Sequence, residues 1–203
     1  MEHIYRNYYN KSMTYAAYRK LIDDLFEKGE TTGTVQSPEL TDYARLNIVR
    51  MNRLDKTAVL NEATVDALKI VTQPQVWFVL TEGWCGDAAQ IVPVLNLIAN
   101  SNANIELRLL LRDENLDLMD HYLVSGRSRS IPRLIVVDVE TDLELFNWGP
   151  RPKELQDIYS KLVEDKASFD VVKEKLHSWY AKDKTLSTQR EIMALVQAGV
   201  KQA

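Results

Sequence analysis

Apolar residues recur every three or four positions over 12–28, placing Tyr15, Tyr18, Leu21, Ile22, Leu25 and Phe26 on one face of an expected amphipathic helix. Gly29 stops it, and Gly29 to Gln36 reads as loop. Ser37-Pro38-Glu39 joins a capping hydroxyl, a proline and an acid as at a helix start, and that helix is expected to reach about Leu54. Asn61-Glu62 opens another, with Val65, Leu68 and Ile70 turned inward. The first third is thus mostly helical and carries no catalytic constellation, its tyrosines read as packing residues. From Gln75 the period changes. Val76–Leu80 is a continuous apolar run of strand length, as in a strand covered on both faces. Residues 88–99 are helical in pattern, 105–111 form a second strand and 115–123 a helix. Residues 134–137 and 143–148, separated by Glu140-Thr141-Asp142, predict an antiparallel hairpin. Gly149-Pro150-Arg151-Pro152 ends it and starts a helix through Leu162, and 169–180 and 187–196 predict two more.

This order is that of an α/β domain, a central mixed sheet flanked by helices, over 73–165. An N-terminal helical extension (1–72) precedes it, and a C-terminal one (166–203) packs on the same domain. At 203 residues, 45% hydrophobic and 27% charged, the chain has an ordinary globular composition. A net charge of −4 offers no general attraction to nucleic acid or anionic membranes. No apolar run approaches the ~20 residues of a bilayer span, and the N-terminus lacks the pattern of a secretion signal. With one cysteine there is no internal disulfide, and a cytoplasmic protein is the expectation.

That cysteine, Cys85 in Trp84-Cys85-Gly86-Asp87-Ala88, stands where the first strand gives way to a helix. Backbone N–H groups and the helix dipole favour an anion there, and the thiolate is the reactive form of the residue. Partial exposure and a lowered pKa are therefore expected. Ala88 stands where a dithiol motif carries its second cysteine. Asp87 suits the first turn of a helix, yet its charge opposes thiolate formation within ~6 Å. His3, His121 and His177 show no ligand spacing, and without a second cysteine no zinc or iron–sulfur site is expected. There is no glycine-rich phosphate loop.

The element order with Trp-Cys-Gly at the first strand-to-helix junction resembles the thioredoxin fold. Pro93, Ile131-Pro132 before the hairpin and Gly149 after it strengthen the likeness. The chain looks like a group of bacterial thioredoxin-like proteins with a single-cysteine Trp-Cys-Gly-Asp-Ala motif. The resemblance implies a cis Ile131–Pro132 bond beside Cys85, with the Ile131 backbone available to an extended substrate peptide. It also brings Arg127, Arg129 and Arg133 toward the thiol, where with Arg112 they would hold a small anionic thiol or an acidic peptide. Trp84 would shield the thiol and Gly86 and Asp87 would border the substrate. Val79 replaces the buried aspartate that aids resolution in thioredoxins, so both parts of the second half-reaction are missing.

Three functions fit these residues. The first is a monothiol thiol–disulfide oxidoreductase, nucleophile Cys85, acting on protein or peptide disulfides and released by an external small thiol such as glutathione, with no bound cofactor. The second is a redox-inactive thioredoxin-fold module that binds a peptide or protein. The third is a peroxide-sensing thiol. The pKa of Cys85 separates the chemistry from the binding module.

Overall fold

Every position of β1 (Gln75–Thr81) is buried. In the computed structural model, which describes residues 3–200, β1 pairs parallel with β2 (Ile105–Leu111), Gln75 opposite Ile105 and Thr81 opposite Leu111. Its other edge pairs antiparallel with β3 (Arg133–Asp138). β3 in turn pairs antiparallel with β4 (Glu144–Trp148), with an irregularity between Val136 and Val137, so the order is β2-β1-β3-β4. The free edge of β2 is met by Met13, which exchanges backbone bonds of 2.9 and 2.8 Å with Leu109.

Four helices precede the sheet: α1 (Ile4–Tyr8), α2 (Tyr15–Glu27), α3 (Pro38–Thr57) and α4 (Glu62–Leu68). Thr14, Ser37 and Asn61 cap the last three, each side chain accepting from the backbone N–H three residues on. α5 (Gly86–Ala99) follows β1, contains Pro93 and is buried along most of its length. It lies against β1 and β2 and is covered by α3 and by α9 (Leu186–Val200). α7 (Lys153–Glu164) and α8 (Phe169–Asp183) pack on one another. This is the mixed sheet flanked by helices, with helical additions at both ends, that the sequence predicts.

One element goes beyond the sequence reading and one local expectation changes. α1 has too few residues to show a period, yet Ile4 and Tyr8 are buried, and the Tyr5 N–H is held at 2.6 Å by buried Asp142. The helix expected over 115–123 is only α6 (Leu116–Met119) between two 3-10 turns. Asn115 explains the shortened start. Its backbone is non-helical, and its side chain donates back to the Leu111 carbonyl at 2.8 Å.

The Ile131–Pro132 and Gly149–Pro150 bonds are cis. Gly149 has a φ of 125°, and a Cβ there would stand 2.3 Å from the Pro132 carbonyl oxygen. Only glycine lets the end of β4 pass so close to the loop that faces Cys85. Among the described residues no helix is long and apolar enough to cross a membrane.

Candidate functional site

Cys85 is the N-cap of α5, and its sulfur accepts from the Ala88 N–H at 3.5 Å. The thiol donates to the Ile131 carbonyl at 3.4 Å. Cys85, Trp84, Gly86, Asp87, Ile131 and Arg129 therefore border one cleft, whereas Pro132, joined to Ile131 by the cis bond, does not line it. The state of the thiol differs from the sequence expectation. Cys85 is only 8% exposed. Burial and then the Asp87 carboxylate push the thiol up to about 12, outweighing the Ala88 N–H and Arg151, which act downward. The helix start lowers a cysteine pKa only when solvent or a cation keeps the charge from being stranded, and here the segment is enclosed.

The enclosure comes from parts of the chain far from the motif. Gly83, two residues before Cys85, receives a bond from buried Asn47 of α3 at 2.9 Å, and its N–H donates to Thr32 at 2.7 Å. A Cβ on Gly86 would lie 3.5 Å from His177 of α8 and 3.7 Å from Arg50 of α3. The Tyr43 and Phe169 rings meet edge to face at 6.0 Å, closing α3 onto α8. The first third, in which the sequence shows no catalytic constellation, thus supplies Asn47, Arg50 and Tyr43 to the surroundings of Cys85.

Asp87 is buried, and its carboxylate takes an ion pair from Arg151 at 2.6 Å and a bond from the Tyr180 hydroxyl at 2.8 Å. Burial pushes this carboxyl up, while Arg151, Tyr180 and Arg50 act against it. The short pair with a guanidinium favours the carboxylate form against that burial. Glu82 is also fully buried. One of its oxygens accepts from the Asp113 N–H at 3.0 Å, the other has no partner, and burial raises its pKa.

The arginines separate. Arg133 does not approach the thiol. It is buried in β3, reaches Asn147 at 3.3 Å and lies near Tyr122 and Glu144, because the strand fixes which way its side chain leaves the sheet. Arg129 borders the cleft but is held in a bidentate pair by Asp120 at 2.6 and 2.8 Å. Arg112 lies over the Trp84 ring at 4.9 Å and pairs with Asp113 at 2.7 Å. Arg127 is exposed and does not line the cleft. No sequence motif marks Arg50, Tyr180 or His177; Arg151 stands in the Gly-Pro-Arg-Pro turn and was the one visible signal. Among the described residues no three His, Cys, Asp or Glu side chains gather as metal ligands would.

A cis-proline loop facing a cysteine at the start of a sheet-covering helix defines a thioredoxin-like protein. The family model described as thioredoxin matches residues 33–168, and the chain belongs to that family. No curated protein matches the sequence. Among solved structures, a protein of unknown function from Pseudomonas aeruginosa superposes with a TM-score of 0.54 at 20% identity, covering 92% of this chain and 98% of that one. An HIV epitope-scaffold gives 0.53 at 20% identity, covering 92% and 99%. At this identity the likeness is one of fold. It spans nearly the whole length of both neighbours, helical additions included.

Proposed function

We propose that this protein is a redox-inactive thioredoxin-fold binding module, in which the region around Cys85 has become a ligand cleft. The observation that carries this reading is the engagement of the thiol. Cys85 is buried as the N-cap of α5, and its proton is given to the Ile131 carbonyl that a substrate peptide would otherwise meet. Burial and Asp87 favour the neutral form, which is a poor nucleophile. The monothiol oxidoreductase reading rests on the Ala88 N–H and on Arg151, both of which favour a thiolate. They are outweighed.

Thiol alkylation decides between the two. With iodoacetamide at neutral pH, Cys85 in the native chain reacts at least about tenfold more slowly than in the urea-unfolded chain, since so high a pKa leaves little thiolate. Insulin reduction with an added small thiol stays at background. Native labelling as fast as in the unfolded chain, or catalysed insulin reduction, overturns the binding-module reading in favour of the monothiol enzyme.

A further inference from the structure

The cleft encloses about 650 Å³, within the range of small-molecule sites. Its walls are apolar, drawn from Leu40 and Tyr43 of α3, Tyr159 of α7 and Leu176 of α8, and the exposed Phe169 and Val163 stand at its border. Its charged groups are nearly all matched. Arg151 pairs with Asp87, Arg112 with Asp113, Arg129 with Asp120 and Lys173 with Asp170. Arg50 differs: among the described residues it has no carboxylate within ion-pair distance. Its guanidinium donates to two neutral acceptors, Asn47 Oδ1 at 2.8 Å and His177 Nε2 at 2.9 Å. Asp87 lies close enough to act on Arg50, but its oxygens are taken by Arg151 and Tyr180.

The histidine, as an acceptor, fixes the guanidinium. A guanidinium has no acceptor, so Nε2 must receive the bond from Arg50 and the ring proton is assigned to Nδ1. Nδ1 is buried and finds no protein partner. A cation without a counterion and the start of α5 at Gly86 thus meet at one end of an apolar cleft, with the His177 ring beside them.

Building on the binding-module reading, we propose that the cleft binds a small monocarboxylate with an apolar body, its carboxylate on Arg50 beside Gly86 and its body between Tyr43, Tyr159 and Leu176. A single surplus positive charge matches a monoanion rather than a phosphate dianion. The planar guanidinium, held from one side by Asn47 and His177, offers its remaining N–H groups to a carboxylate in the bidentate manner.

Octanoate is the probe, titrated calorimetrically into the intact chain beside acetate, octan-1-ol and inorganic phosphate. Octanoate is expected to bind saturably at one site, with acetate, octanol and phosphate each at least about tenfold weaker. Arg50→Gln is expected to weaken octanoate at least about tenfold and Arg50→Lys to keep part of the affinity. The comparison of octanoate with octanol needs no variant, so a misfolded Arg50→Gln chain leaves the test intact. Absence of saturable octanoate binding, equal affinity for octanol, preference for phosphate, or an Arg50→Gln chain that folds and binds unchanged overturns the assignment. If octanoate is silent while Cys85 remains inert to iodoacetamide, the anion site alone fails. Rapid labelling of Cys85 with octanoate binding intact removes the binding-module reading instead.

Discussion

Cys85 is held by two hydrogen bonds, and both can be reproduced without sulfur. A serine hydroxyl at this position accepts from the Ala88 N–H and donates to the Ile131 carbonyl in the same sense, and serine is among the preferred N-cap residues. Cys85→Ser is therefore expected to match or exceed the native chain in urea unfolding. Cys85→Ala abandons the cap and leaves a buried N–H and carbonyl unpaired, a loss of about 1–2 kcal/mol. Equal losses in both variants would show that the volume of the sulfur, not the cap, holds the turn. The residue was legible in the sequence as a helix-start thiol beside a cis-proline, because strand, turn and helix are adjacent in the chain. Its ionisation was not. That depends on enclosure by Asn47, Arg50 and His177, which are placed by tertiary packing and leave no trace within the motif.

The elements whose period is strong in sequence stand where that period predicts, with one exception at α4. Of the three residues expected inward there only Leu68 is buried, while Val65 and Ile70 are exposed because the helix ends at Leu68 and packs through Thr64, Ala67 and Leu68. β1 is buried throughout and apolar from Val76 to Leu80, with α5 packed on it, and α2, α3 and α4 start after Thr14, Ser37 and Asn61 because each cap satisfies an N–H that the helix cannot. The short α1 and the broken 115–122 segment are too brief to carry a period. Arg133 was misplaced for a different reason: proximity to Pro132 in sequence says nothing of which sheet face receives the next side chain. Between elements, one buried tie matters most. Asp87 at the start of α5 joins Arg151 before α7 and Tyr180 of α8. Asp87→Ala strands the mostly buried Arg151 and is expected to cost about 3 kcal/mol in denaturant unfolding, with α8 the first element to lose amide-exchange protection. Asp87→Asn keeps an acceptor for Tyr180 and loses less. A loss from Asp87→Ala no greater than that of an exposed substitution would show that α8 is docked by its apolar face alone.

Over the whole molecule, the enclosure of the cleft sets a pH dependence. Burial first, then Arg50 and Lys173, depress His177 from an ordinary 6.5 to about 4. Between those two values the unfolded chain binds a proton at this ring that the folded chain rejects, so His177 makes stability rise with pH across the interval and fall as the solution is acidified through it. Glu82 works in the opposite sense, because burial raises its carboxyl and the folded chain then holds a proton longer than the unfolded one. The carboxylates at the surface that arginine or tyrosine partners hold low, Asp120 and Asp117, act in the same direction as His177 but lie below its window. His177→Gln keeps a side chain able to accept from Arg50 while removing the titration. The native chain is expected to lose melting temperature steadily from about pH 6.5 to about pH 4, and the His177→Gln chain to lose markedly less over the same interval. Identical slopes in the two chains would mean that the imidazole reaches solvent and titrates freely, and that α3 and α8 do not close over Gly86 as tightly as the contacts of Arg50 and His177 require.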